Sequence, residues 1–133
     1  MSQSAIDQFA EANTAEPAPD LDLETLAGLA DDVGAEIVPE LMRSFHADLQ
    51  LSRLRAESAV LKGDVVDFVM VMHSLRGQCP YFGAKPLAAI AGHYELAARA
   101  ANFDFAAAWT ALEPRLLSTT AAAAAITENA DAS

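Results

Sequence analysis

The chain has a single cysteine in 133 residues. That excludes a disulfide framework and any metal site built from clustered cysteines, and a lone thiol suits a reducing compartment. Six glycines and six prolines are too few for a loop-rich β protein or a low-complexity chain. Basic residues are scarce: eight Lys and Arg stand against nineteen Asp and Glu, giving a formal net charge of −11. This balance argues against nucleic acid and anionic membranes as partners. No apolar run approaches the ~20 residues of a membrane helix. The opening MSQSAIDQFA lacks a basic stretch followed by an apolar one, so no secretory signal is expected and a cytoplasmic location is. Gly-rich phosphate loops, a His-Glu-x-x-His pair and a Gly-x-Ser-x-Gly elbow are also missing. None of His46, His73 and His93 has a carboxylate three residues before it, which removes the Glu-x-x-His pairs of di-iron bundles. These absences weigh against an autonomous enzyme, a nucleotide site and a bound metal, and no cofactor of the chain's own is expected.

What is present is helical. Apolar residues make up 53% of the chain, and 30 residues are alanine. Residues 1–42 hold ten carboxylates and no Lys or Arg. Pro17 and Pro19 disfavour helix at the residues before them, so residues 1–19 read as a flexible acidic tail. Residues 20–126 read as the folded domain and 127–133 as a disordered end. Asp20 or Asp22 caps a short helix that runs to about Asp32. A long helix then starts near Glu36–Pro39, because proline is tolerated in a first turn. Its inward stripe is Val38, Leu41, Phe45, Leu49, Ser52, Ala56 and Ala59, spaced three and four apart. Gly63 past its end and Asp64 as the next cap separate it from a third helix, Val65 to about Phe82. That helix carries Phe68, Met72, Leu75, Cys79 and Phe82 inward. Pro86 opens a fourth helix with Leu87, Ile90, Ala91, Tyr94, Ala98 and Ala101 inward. The last offers Phe105, Trp109, Leu112 and Leu116, with a kink expected at Pro114. The expected fold is all-α: an antiparallel up-down four-helix bundle with a short extra N-terminal helix. Such a bundle needs no second copy, and a monomer is expected. Leu51 and Leu54 fall outside their stripe. Either the short first helix covers them or they extend a docking patch; the first needs no partner and is preferred.

His73 faces the wrong way for a core residue. At ~100° per residue it lies about 140° from the centre of its helix's buried stripe. Val66, Val69, Met70, Gly77 and Pro80 share that face, and Arg76 lies one turn on and to one side. An exposed imidazole is neutral much of the time near pH 7 and can act as a nucleophile. Gly77 leaves room for an incoming group, at a cost of about 1 kcal/mol in helix propensity relative to alanine. Arg76 can reach phosphoryl oxygens carried on the ring. The apolar rim suits a transient protein interface. His46 and His93 read as surface histidines, Glu95 as a surface ion-pair partner, and Cys79 as an inert buried thiol.

The run His73 to Ala84, HSLRGQCPYFGA, resembles the His-x-Leu-Lys-Gly-x5-Gly-Ala signature of histidine-containing phosphotransfer (HPt) domains. His73 matches the phosphoacceptor, Arg76 the basic position, and Gly77 and Gly83 the two glycines. Phe45 and Asp48 match the Phe-x-x-Asp of the preceding helix, and Asp64 its Gly-Asp cap. Leu87, Ala91, Tyr94-Glu95 and Ala98 fit the downstream pattern. The likeness covers about residues 23–115. Arg76 departs from the usual Lys, and Pro80, Cys79, Tyr81 and Phe82 are bulkier than the family's residues there. The resemblance implies a phosphocarrier, not an enzyme by itself, in a multistep His–Asp relay. Its partners would be receiver domains of response regulators or of a hybrid histidine kinase, with Mg²⁺ on the partner. His73 would accept the phosphoryl group, Arg76 would support it electrostatically and Gly77 would give access. Val66, Val69, Met70, Gln78 and Pro80 would form the contact surface. The alternative is an HPt-like binding module that sequesters a receiver or another partner without taking phosphate.

Overall fold

A computed structural model describes residues 19–132 of the chain. The expected tail therefore lies, apart from Pro19, outside the described residues. Among the described residues five α-helices follow one another: α1 Leu23–Val33, α2 Val38–Lys62, α3 Val65–Gln78, α4 Lys85–Ala97 and α5 Phe105–Ala132, with a 3-10 turn at Cys79–Phe82 between α3 and α4. Helices α2 to α5 form a four-helix bundle in which α2 packs on α3 and α5, and α4 on α3 and α5. No described helix is long and apolar enough to cross a membrane.

Capping chemistry sets most boundaries. The Asp22 side chain accepts from the backbone N–H of Thr25 and caps α1, and Asp64 does the same for α3 through Asp67. Gly63 ends α2 at φ 63°, a left-handed conformation that glycine adopts without a Cβ penalty. Helix α3 stops four residues earlier than the apolar stripe suggests. Pro80 has no N–H to continue an α-helical ladder, and the chain tightens into the 3-10 turn.

The core is continuous through the bundle. Phe45, Leu49, Phe68, Met72, Leu75, Leu87, Leu112 and Leu116 are all buried, each contributing about 1.5–3 kcal/mol on burial. Phe82 is half-buried and stacks on Phe45 at a centroid distance of 4.2 Å. Several inward assignments differ from the expected stripes. Met42 rather than Leu41 is fully buried in α2. Ala101 is exposed in the α4–α5 turn, and Phe105 and Trp109 are only half-buried. Helix α5 passes through Pro114 and continues to Ala132, where an end fraying from Thr127 was expected. Buried Thr119, Ala122, Ala123 and Ile126 anchor the helix up to that point, and half-buried Thr127, Asn129 and Ala130 follow on from them.

Helix α1 is fastened at its start. Asp20 is buried rather than capping, and its Oδ1 accepts from Arg115 Nη1 at 2.7 Å and from Ser118 Oγ at 3.0 Å on α5. The Asp22 backbone N–H donates to the Gly83 carbonyl at 2.8 Å, and Lys85 Nζ lies 3.0 Å from Asp22 Oδ2. These ties hold α1 over the 3-10 turn and one end of the bundle. It does not reach the middle of α2, so Leu51 and Leu54 stay 63% and 54% exposed, against the preferred expectation.

Candidate functional site

Helix α3 has two unlike faces. Phe68, Val71, Met72 and Leu75 turn into the core. His73, Arg76 and Gly77 turn outward, with the His73 side chain 66% exposed. A Cβ at Gly77 would meet nothing within 4 Å, so no packing inside the molecule demands glycine there. The two glycines of the signature differ. At Gly83, φ is 76° and a Cβ would stand 2.8 Å from the Asp22 carbonyl oxygen, so Gly83 is required by the backbone.

The α3–α4 interface supplies a residue that the sequence reading left on the surface. Glu95 lies on the buried side of α4, in line with Leu87 and Ala91, and its side chain is only 10% exposed. Its Oε2 is 2.8 Å from His73 Nδ1 and its Oε1 is 2.7 Å from Arg76 Nε. Arg99 Nη2, just past the end of α4, approaches Oε2 at 4.0 Å. The hydrogen bond with His73 holds the Glu95 carboxyl below its usual range; desolvation opposes this, and the charges of Arg76, His73 and Arg99 add to the lowering. Glu95 is therefore ionised at neutral pH and can only accept hydrogen bonds.

In the neutral ring, the hydrogen bond to the ionised carboxylate places the proton on Nδ1 and leaves the lone pair on Nε2. Arg76 Nη2 also lies 3.3 Å from Nδ1. Two donors cannot share that proton position, so the shorter, charge-assisted contact with Glu95 prevails, and Arg76 is a neighbouring cation. The site thus presents an outward-facing Nε2, a guanidinium beside the ring, and an unobstructed turn of helix at Gly77.

Around it, Val66, Met70 and Pro80 are exposed and Gln78 is half-buried. Val69, expected on the open face, is half-buried and packs against the core. Ser74 and Gln78 line an open groove of about 580 Å³ between α2 and α3, together with Leu51 and Leu54. The two uncovered leucines thus border the His73 side of the molecule. Cys79 is buried, and burial pushes its thiol up to about 12, which suits the inert reading. Among the described residues no group of three or more His, Cys, Asp or Glu could hold a metal ion.

Glu95 had one legible signal: it falls four residues after buried Ala91 and three before buried Ala98, on the stripe itself. A carboxylate there needs cationic partners from another helix. Comparison of the chain with protein-family profiles, with curated proteins and with solved structures finds no match.

Proposed function

We propose that the chain is a histidine phosphocarrier of a two-component phosphorelay, with His73 as phosphoacceptor. The observation that carries this reading is the His73–Glu95 contact of 2.8 Å at Nδ1. It orients an exposed imidazole with its nucleophilic nitrogen outward, beside a cation. The signature residues His73, Arg76 and Gly77 support the same reading through their resemblance to HPt domains.

In this mechanism a receiver domain carrying an aspartyl phosphate docks over α3, contacting Val66, Met70, Gln78 and Pro80. The Nε2 lone pair attacks phosphorus in line. An N–P bond forms as the P–O bond to the aspartyl group breaks, and the aspartate leaves as a carboxylate. The Nδ1 proton stays hydrogen-bonded to Glu95, whose negative charge offsets the positive charge arising on the ring. In the reverse direction the retained proton lets the ring depart as neutral imidazole, so transfer runs both ways. Arg76 balances the phosphoryl oxygens, and the receiver brings Mg²⁺ and most of the transition-state stabilisation.

The test is transfer from phosphorylated receiver domains to the wild-type chain and to His73→Gln. Acid-labile, base-stable label on the wild type and none on the variant is expected. Binding of a receiver without label on either chain would replace this reading with a binding module that sequesters receivers.

A further inference from the structure

Gly92 sits in the interior of α4, where glycine weakens a helix relative to alanine. A Cβ there would stand 3.3 Å from Cδ and 3.8 Å from Cγ of Arg76. The stem of Arg76 therefore lies across α4 at the one residue with no side chain in its way. Beyond the stem, Arg76 Nε is held by Glu95 Oε1 at 2.7 Å and Nη2 stands 3.3 Å from His73 Nδ1. The arginine is located at three points: its own helix, the Gly92 lane and the Glu95 carboxylate.

We infer that Gly92 is a positioning residue that, with Glu95, seats Arg76 so that its guanidinium bridges Glu95 and a phosphoryl group on His73 Nε2. The inference rests on the phosphocarrier reading. It also gives a physical reason for arginine at a position where the resembling family has lysine. A guanidinium can donate through Nε to Glu95 and still present its terminal N–H groups to phosphoryl oxygens. A lysine ammonium is a single point on a freely rotating stem and cannot hold both in fixed geometry. A methyl group at position 92 would push the stem outward by a few tenths of an ångström. The tethered Nε cannot follow without stretching its bond to Glu95, whereas an untethered lysine can move aside.

The experiment is a double-mutant cycle on the full chain with Gly92→Ala, Arg76→Lys and both together. The donor is a receiver domain charged with acetyl phosphate, and transfer is followed by rapid quench. Gly92→Ala alone is expected to slow transfer about three- to tenfold, since small misplacements near a reacting centre are costly. Its melting temperature should hold or rise, because alanine is the better helix former. In the Arg76→Lys background the same change should alter the rate less than about twofold. In parallel, hydrogen exchange at Arg76 Nε–H should be slow in the unphosphorylated wild type and faster in Gly92→Ala. Equal slowing in both backgrounds, or no slowing in either, overturns the inference. If no receiver labels even the wild type, the phosphocarrier reading fails; the exchange measurement then still decides the seat, and unchanged exchange in Gly92→Ala overturns it.

Discussion

Replacing the two signature glycines by alanine should separate stability from activity, with Gly83→Ala losing the first and Gly77→Ala the second. At Gly83 the backbone is left-handed, with φ 76°, and an added Cβ would meet the Asp22 carbonyl oxygen at 2.8 Å and the Asp22 nitrogen at 2.9 Å. The conformational penalty for a side chain in that region is about 1–2 kcal/mol. Relieving the contact requires moving the start of α1, which stretches the 2.8 Å bond from the Asp22 N–H to the Gly83 carbonyl and forfeits about 1 kcal/mol more. Gly83→Ala should therefore destabilise the domain by about 2–3 kcal/mol, a fall in melting temperature on the order of 10 °C for a domain of this size. At Gly77 the Cβ would meet nothing, and alanine should stabilise α3 by up to about 1 kcal/mol. Yet that methyl group stands one turn from His73, where on the proposed function the phosphoryl group and its carrier approach. Circular dichroism melts and quench-flow transfer from a phosphorylated receiver measure both effects. Gly83→Ala should melt early but transfer at near wild-type rate well below its melting point. Gly77→Ala should melt no earlier and transfer at least about tenfold more slowly, on the scale that a misplaced group near the reacting atoms exacts. A stable Gly83→Ala variant, or a fast Gly77→Ala variant, would refute this division of roles.

Three further outcomes follow from the same contacts. The Glu95 carboxyl is held below the usual 4.5, so its stabilising effect is complete above that value and is lost as pH falls through the lowered one; Glu95→Gln should flatten that acid limb in pH-dependent unfolding and also slow transfer at neutral pH. Asp20→Ala removes the acceptor for Arg115 and Ser118, and loss of this part-buried, charge-assisted cluster should cost about 2–4 kcal/mol in urea unfolding without changing the His73 exchange behaviour seen by NMR. Cys79, buried with its thiol pushed up to about 12, should react with a disulfide reagent only as fast as the domain opens, so that added urea accelerates labelling steeply.

What could be read from the chain, and what could not, divides along the range of the interaction. Asp64, Gly63 and Pro86 act within one turn of their own positions, and they were legible as caps and starts. His73 was legible because its helix carries a clear apolar stripe and the histidine points away from it. Glu95 and Gly92 depend on a different helix. The partner of Glu95 is chosen by how α4 lies on α3, which no single-helix periodicity encodes. Gly92 matters only because a side chain from α3 passes over it. Leu51 and Leu54 failed for the same reason: whether α1 covers them is decided by the Asp20 and Gly83 ties, both long-range.

Those long-range contacts also give the site its charge. The chain as a whole carries −11, which should repel an acidic partner and a phosphoryl group alike. At His73 the local balance is reversed. Arg76 and Arg99 both face the single carboxylate of Glu95, at 2.7 and 4.0 Å, so fixed charges beside the imidazole leave one positive charge in excess. Screening confines the distant carboxylates to about a Debye length, ~8 Å at physiological salt, whereas the two arginines act at contact range. On the proposed function the long-range field and the local one do different work: the acidic surface discourages indiscriminate association with anions, and the arginines favour a phosphoryl group beside the imidazole. On this argument, raising ionic strength should speed encounter with an acidic receiver while weakening the exposed Arg99 contact more than the shorter Arg76 one. Neutralising Arg99 should then have its largest effect at low salt, and neutralising Arg76 should slow transfer at any salt. An Arg76→Ala variant whose transfer matches the wild type at high ionic strength would show that the guanidinium acts only through the general field, and would remove it from the site.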